Sequence, residues 1–466
     1  MTITRSRSLH RDRVDGRYRS AVSIGCARVT RPWCLIVLLV ATASARADDT
    51  PTRLPPKLTL GEALALFRAH GLDLLIAEAA IQGAEGDVTT ANAIPNPSLS
   101  VSYGPYAFYW KCTNAMGCSR PPSSVSAEIT DQAAIEDTLS GKRHLRNEIA
   151  SAALRAAKLG RVDAERTLAY QVKAQFEQVL LAQSAVRFAK DTADANALML
   201  DKAEKQRDAD KIQRPDLLRV RVAKLESDQE LDQAQQGLRK ARAELAFLLG
   251  VRDAVPEFVV AEPQLEHYAL PNALASANHD ALLAQAFAAR PDLQAQEAQL
   301  ASAEAARHLA RRQRFPDVTL SLGYTQQGID QNAASPPTFS IGLSAPIPVL
   351  YQQQGEIAKT DAVARQQRLQ VEKLRAQIVN DFESAYADFI ASQALVRRME
   401  EGALLETARQ AKDDVKLLYE KGGAQLVDYL VALSTYISTN LEYLNDVAGY
   451  WTAVFELEQA VGKELR

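Results

Sequence analysis

Few residues in this chain have the type and spacing to do chemistry, and the clearest are two aspartates and two cysteines. Asp216 and Asp428 open matching stretches, with Leu218 answered by Leu430 and Glu230 by Glu442. An aspartate at the start of a helix accepts bonds from its exposed backbone N–H groups and caps it. The same aspartate, repeated by symmetry around a pore, forms a ring of like charges that attracts cations and raises the pKa of its members. The residues alone leave both roles open. Cys112 and Cys118 stand close together with no histidine nearby. In an oxidising compartment they are expected to close a small disulfide loop, with a soft-metal thiolate site as the alternative.

The other polar residues point away from catalysis. His70, His144, His267, His279 and His308 are scattered, and the adjacent Glu266 and His267 are expected to be surface polar residues. Lys142, Arg143 and Arg146 follow a strand end and are expected to be solvated. No phosphate loop, H-E-x-x-H motif or nucleophile elbow occurs, so no catalytic site, metal centre or cofactor is expected.

The elements that position these residues come from an internal repeat. Leu74 falls on Leu293, Glu78 on Glu297, Pro97 on Pro316 and Gly104 on Gly323; later, Asp216 falls on Asp428, Leu245 on Leu457 and Gly250 on Gly462. The period is near half the chain, far longer than a solenoid unit. Two copies of one unit follow. The first spans 58–250, with a helix, a strand pair over 98–132, a long helix over 141–208 and a helix over 215–250. The second spans 280–462, with a helix, a strand pair over 317–348, a long helix over 355–421 and a helix over 425–462. Residues 251–279, with Pro256, Pro263 and Pro271, read as an equatorial linker region outside the helical bundle.

The N-terminus is different in kind. Residues 1–47 hold arginines from Arg5 to Arg31, a short apolar run from Trp33 to Val40, and Ala43-Ser44-Ala45 and Ala45-Arg46-Ala47 endings. That is a secretory signal peptide, too short in its apolar run to span a membrane. Cys26 and Cys34 precede or open that run, so no lipid anchor is expected. Removal of a segment with nine arginines and two aspartates takes the formal charge from −3 to −10, which argues against nucleic-acid binding.

Between the copies' helices the pattern switches to strict alternation. Leu99, Val101 and Tyr103 alternate with serines, and Val125, Ala127 and Ile129 with Ser126, Glu128 and Thr130. Val318, Leu320, Leu322 and Tyr324, then Phe339, Ile341 and Leu343, repeat this in the second copy. Runs of about 10 residues, apolar on one face and Ser, Thr or Gly on the other, suit strands that face lipid. Four strands cannot close a membrane barrel, which needs at least about eight, so several chains must share one. Each strand pair feeds a helix with a heptad seam: Val172, Phe176, Val179, Val186, Ala193, Ala197 and Leu200 in the first copy, and Ile378, Phe382, Ala385, Phe389, Val396, Met399 and Ala403 in the second. At 1.5 Å per residue each would span about 100 Å and must pack against other long helices.

Leu58-Thr-Leu-Gly-Glu-Ala-Leu64, Pro95-Asn96-Pro97 and the paired Asp216/Gly250 and Asp428/Gly462 segments resemble the TolC-like outer membrane factor family. The resemblance spans nearly all of residues 58–462. Ser140-Gly141-Lys142-Arg143 with Arg146, and Pro346-Ile-Pro348 with Gln354-Gly355-Glu356-Ile357, are similar to its heavy-metal (cobalt-zinc-cadmium) efflux members. The resemblance implies a mainly α fold with a membrane β-barrel contribution. It implies a homotrimer whose twelve strands form one outer-membrane barrel, continuing into an α-helical coiled-coil barrel in the periplasm. The turn Tyr419-x-x-Gly422, with Asp428 beyond it, is similar to the family's periplasmic tip. Tyr419 and Gly422 are thereby implied in contact with a periplasmic adaptor protein, and Asp428 and Asp216 in the pore constriction. Val431 stands where relatives are often acidic, and the first copy departs further, with Asp210 in place of the glycine and Pro215 before Asp216.

The resulting expectation is a passive outer-membrane exit duct in contact with lipid, driven by an inner-membrane RND-type transporter through the adaptor. Divalent heavy-metal cations are the expected cargo and drugs or other small molecules the alternative. A periplasmic coiled-coil adaptor or structural protein is the competing class, but it would carry one helical hairpin where this chain has two, with two strand pairs. An exported enzyme is the third, disfavoured by the missing catalytic constellation.

Overall fold

The computed structural model describes residues 54–105, 123–131, 140–209, 212–265, 267–275, 278–327 and 336–465. The signal-peptide segment, Cys112, Cys118, Asp210 and Glu266 lie outside the described residues. The first copy opens with a short strand β1 (Lys57–Leu58) and helices α1 (Leu60–His70) and α2 (Leu72–Asn92). Thr59 starts α1 through a reciprocal pair: Glu62 N donates to Thr59 Oγ1 at 3.3 Å and Thr59 N to Glu62 Oε2 at 2.9 Å. Those bonds from Thr59 hold the Glu62 carboxyl below its ordinary pKa. Strands β2 (Ser98–Pro105) and β3 (Ser123–Asp131) follow, then helices α3 (Lys142–Asp208) and α4 (Arg214–Leu248).

The intervening segment holds β4 (Val259–Val260) and α5 (Asn272–Ala275). The second copy then repeats the plan with α6 (His279–Ala289), α7 (Pro291–Arg312), β5 (Thr319–Gln327), β6 (Thr338–Ser344), α8 (Gln354–Glu401), α9 (Leu404–Glu420) and α10 (Leu426–Val461). Both copies break their first helix at the same place, by different means. Gly71 (φ −57, ψ 119) ends α1 where a Cβ would stand 2.6 Å from the Phe67 carbonyl oxygen. Its counterpart Arg290 (φ −67, ψ 119) ends α6 because Pro291 follows and disfavours helical backbone before it.

The four long strands form one antiparallel sheet in the order β2-β3-β5-β6, so the two hairpins join through β3 and β5. Register aligns whole rows across it. Leu99, Ile129, Leu322 and Ile341 lie side by side, as do Val101, Ala127, Tyr324 and Phe339. The alternate rows are Ser98, Thr130, Ser321 and Gly342, then Ser100, Glu128, Gly323 and Ser340. One face is therefore apolar and the other is almost wholly hydroxyl and glycine. The apolar face is open, with Phe339 78% and Ile341 77% exposed. Edges β2 and β6 have no strand partner among the described residues.

Helix α3 is continuous for 67 residues and is preceded by Gly141 at a left-handed φ of 68°. Val172, Phe176, Val179 and Ala193 are buried along it as the heptad pattern expects, but further along the register slips. Asn196 is buried in place of Ala197, which is exposed. A 3.6-residue period drifts about 20° per heptad against a 3.5 repeat, enough after three heptads to bring the neighbouring residue inward. The long helix expected over 355–421 is divided in the structure. Ile378, Phe382, Ala385, Phe389, Val396 and Met399 are buried, but Ala403 is exposed at φ 45° between α8 and α9. Gly402 has low helix propensity, and its N–H and that of Ala403 turn back to the Arg398 and Glu400 carbonyls.

Residues 251–279 do not lie outside the bundle. Phe258, Val260, Leu265 and Leu274 are buried in the same apolar cluster as Phe67, Phe176, Phe382, Trp451 and Phe455. Gln183 clamps Val260 through both its backbone groups, at 2.9 Å each. Trp451 Nε1 donates to the His267 carbonyl and the Tyr450 hydroxyl to that of Ala269. Scattered apolar residues and satisfied carbonyls, rather than a regular period, dock this segment on the core.

Candidate functional site

The two helix-to-helix turns come from equivalent places in the repeat. In the second copy, Gly422 at φ 77° donates its N–H to the Tyr419 carbonyl at 3.0 Å, and Gly423 N donates to Leu418 O at 2.8 Å, a left-handed helix termination. The Tyr419 ring stacks on Tyr429, the centroids 6.1 Å apart and the planes 6° from parallel. Burial pushes the Tyr419 hydroxyl up, and the charge of Asp216 adds to it. Burial also raises Tyr429, with Asp413 and Glu420 contributing. Asp216 at the start of α4 thus sits within electrostatic reach of Tyr419 in the second turn.

The aspartates occupy matched but unequal settings. Asp428 is exposed and accepts from Gln425 N at 2.9 Å, a capping bond at the start of α10. Asp216 is half-buried in the first turn of α4 and pairs with Arg219 at 3.2 Å. Val431, one turn beyond Asp428, is exposed. Within one chain, capping describes Asp428, and its carboxylate still faces solvent.

Between α4 and α10, behind the turns, a groove of 580 Å³ is lined by apolar Leu218, Val222, Leu430, Leu433 and Ile437. Buried Asn196 reaches into its wall and donates to the Ala223 carbonyl at 3.3 Å. Asn196 carried no signal in the sequence, because its apolar neighbour Ala197 filled the heptad position. At the other end of α3, Lys142 is buried rather than solvated: it bonds the Phe315 carbonyl and the Asp317 carboxylate, locking the first copy's long helix to the start of β5. Arg143 donates to the Asn92 carbonyl. No cluster of three or more His, Cys, Asp or Glu side chains suited to a metal ion occurs among the described residues.

An open sheet with one apolar face and a chain folded as a double repeat are the geometry of a conduit subunit. The sequence model of the outer membrane efflux protein family matches residues 64–251 and 282–463, both copies of the repeat. The chain belongs to the outer membrane efflux protein family. It is similar to the cobalt-zinc-cadmium resistance protein CzcC of Cupriavidus metallidurans, 27% identical over 433 residues that cover 89% of this chain and 94% of CzcC. The fold is that of the solved outer-membrane channel OprN (TM-score 0.70, 19% identity, 86% of this chain and 89% of that one). CusC (TM-score 0.69, 17% identity, 87% and 92%) and VceC of Vibrio cholerae (TM-score 0.65, 16% identity, 87% and 97%) share it. This efflux protein resides in the outer membrane with its helical barrel in the periplasm, where it serves as an exit duct. No helix among the described residues is long and apolar enough to cross a membrane.

Proposed function

We propose that three copies of the chain close a twelve-stranded barrel and carry divalent heavy-metal cations out of the cell as the outer component of a tripartite pump. The observation that supports this reading best is the sheet. Its apolar rows run unbroken across four strands, and both edges await a partner. A lipid-facing sheet with open edges is unstable in hydrocarbon, so closure by further copies satisfies its backbone. The hydroxyl face then lines the lumen, a surface that passes hydrated ions without binding them.

The duct performs no catalysis and holds no energy source, so an inner-membrane RND-type transporter supplies the drive. A periplasmic adaptor protein docks at the turn of Tyr419 and Gly422 and opens the end closed by Asp428 and Asp216. Around a threefold axis the solvent-facing Asp428 carboxylates form a ring that draws cations and admits them when the turns separate. The cargo reading follows the similarity to CzcC and is tested by deleting the gene. Sensitivity to zinc, cobalt and cadmium, restored by the wild-type gene, supports it; unchanged metal tolerance with lost drug tolerance replaces it with a drug duct.

A further inference from the structure

At the foot of the sheet lies a cavity of 430 Å³ between the start of α3 and the end of α7. His144, His308, Arg311, Arg312 and Phe315 line it, and none of its described lining residues is a carboxylate. Arg307 and Arg311 share one acid, Asp361, at 2.6 and 3.2 Å, so the neighbourhood keeps a surplus of positive charge. Two arginines border the hollow with two histidines as added hydrogen-bond donors or acceptors, and with no carboxylate in the lining this suits an oxyanion, which arginine can grip with two parallel N–H groups.

Its depth in the membrane narrows the choice. The cavity wall ends at Phe315, whose carbonyl is held by Lys142 Nζ at 2.8 Å, and β5 begins four residues later at Thr319. At about 3.3 Å per residue, Phe315 lies at most roughly 13 Å along the chain from the start of β5, so a membrane-inserted sheet puts the cavity at the periplasmic margin of the bilayer. Phe315 is 64% exposed beside the arginines, the pairing of aromatic ring and basic side chain found at bilayer interfaces.

We propose that this cavity binds the phosphate of an anionic phospholipid headgroup in the inner leaflet of the outer membrane, one lipid per subunit. The site ties α3 and α7, one helix from each copy of the repeat, to the leaflet where barrel meets helices. The proposal rests on the reading of the sheet as membrane-inserted. It takes the phosphate chemistry from the cavity and the lipid source from its depth.

The test uses the full-length protein reconstituted in nanodiscs of phosphatidylglycerol or phosphatidylcholine, with lipid retention read by native mass spectrometry. Inorganic phosphate is the soluble competitor. The wild type is expected to retain phosphatidylglycerol over phosphatidylcholine. His308→Asn/Arg312→Gln should weaken that retention at least about fivefold, the loss of the one arginine charge, and Arg312→Lys should recover most of the loss at its position. Both altered residues are exposed, and His144→Asn is the second variant if the double one fails to assemble. Equal retention of the two lipids, or equal phosphatidylglycerol retention by wild type and variant, overturns the proposal. Displacement of the lipid by inorganic phosphate at equal concentration overturns the lipid source. Failure of the wild type to insert or conduct sinks the duct reading instead, and is scored separately.

Discussion

The ion pair between Lys173 and Glu458 joins the two copies of the repeat deep in the helical core, and its removal should show how those copies hold together. Lys173 Nζ lies 2.7 Å from Glu458 Oε2, with the two side chains 8% and 4% exposed. Glu458 also accepts the backbone N–H of Leu465 at 3.0 Å, and the Lys173 ammonium stands 5.7 Å above the Phe455 ring. Lys173→Met leaves the buried Glu458 carboxylate without its ammonium partner, which should cost about 3–5 kcal/mol. Glu458→Gln keeps the hydrogen-bonding shape, and Lys173 can lean toward exposed Glu464, 3.5 Å away, so its cost should be nearer 2 kcal/mol. The double variant Lys173→Met/Glu458→Met buries no charge and should cost less than the Lys173→Met single. The assay is denaturant unfolding of the detergent-solubilised protein, followed by the fluorescence of Trp451, whose ring lies 6.3 Å from Phe455. Additive costs within about 0.5 kcal/mol would refute the reasoning, because coupled buried charges cannot behave independently.

Three further outcomes follow from other sites. The His279 imidazole is raised above its ordinary pKa by the hydrogen bonds it donates to Asp280 and then to Glu383. Its stabilising tie between α6 and α8 is therefore complete below the unfolded value of about 6.5 and lost as pH rises through the higher folded value. The melting temperature should fall over that window in the wild type and stay flatter in His279→Gln; parallel pH curves would contradict this. Gly250 and Gly422 share left-handed φ, but a Cβ at Gly250 would stand 2.1 Å from the His70 carbonyl oxygen and one at Gly422 meets open space. Gly422→Ala should cost about 1–2 kcal/mol and Gly250→Ala should prevent assembly, as read by trimer yield; equal effects would refute the clash argument. Asp428→Asn keeps the capping acceptor and removes the charge, so cation selectivity in a planar bilayer should drop while thermal stability stays within about 0.5 kcal/mol. Unchanged selectivity removes Asp428 from the pore.

What the sequence made legible was local. Leu99 to Tyr103 and Phe339 to Leu343 declare strands by alternation over a few residues, and Ile378 to Met399 declare a helical seam by 3-4 spacing. Burial of Val172, Phe176 and Val179 is the same kind of signal. The features that escaped depend on distant partners. Lys142 reads as one more surface cation, because its acceptors at Phe315 and Asp317 lie more than 170 residues away. Residues 251–279 carry no period, yet four of their apolar side chains fill the core. The break at Gly402 and Ala403 was hidden by a heptad pattern that continues through it, and the exchange of Ala197 for Asn196 by a drift too small to see in one helix. At the tip, Tyr419, Gly422 and Asp428 are recognisable as a motif, but the stacking of Tyr419 on Tyr429 and its proximity to Asp216 required the fold.

The most direct test of the account is electrical. The purified protein, added to one side of a planar bilayer, should insert as a trimer and give stepwise, cation-selective conductance that the Asp428→Asn variant weakens. A monomer that stays soluble and leaves the bilayer silent would contradict the reading of this chain as an outer-membrane duct.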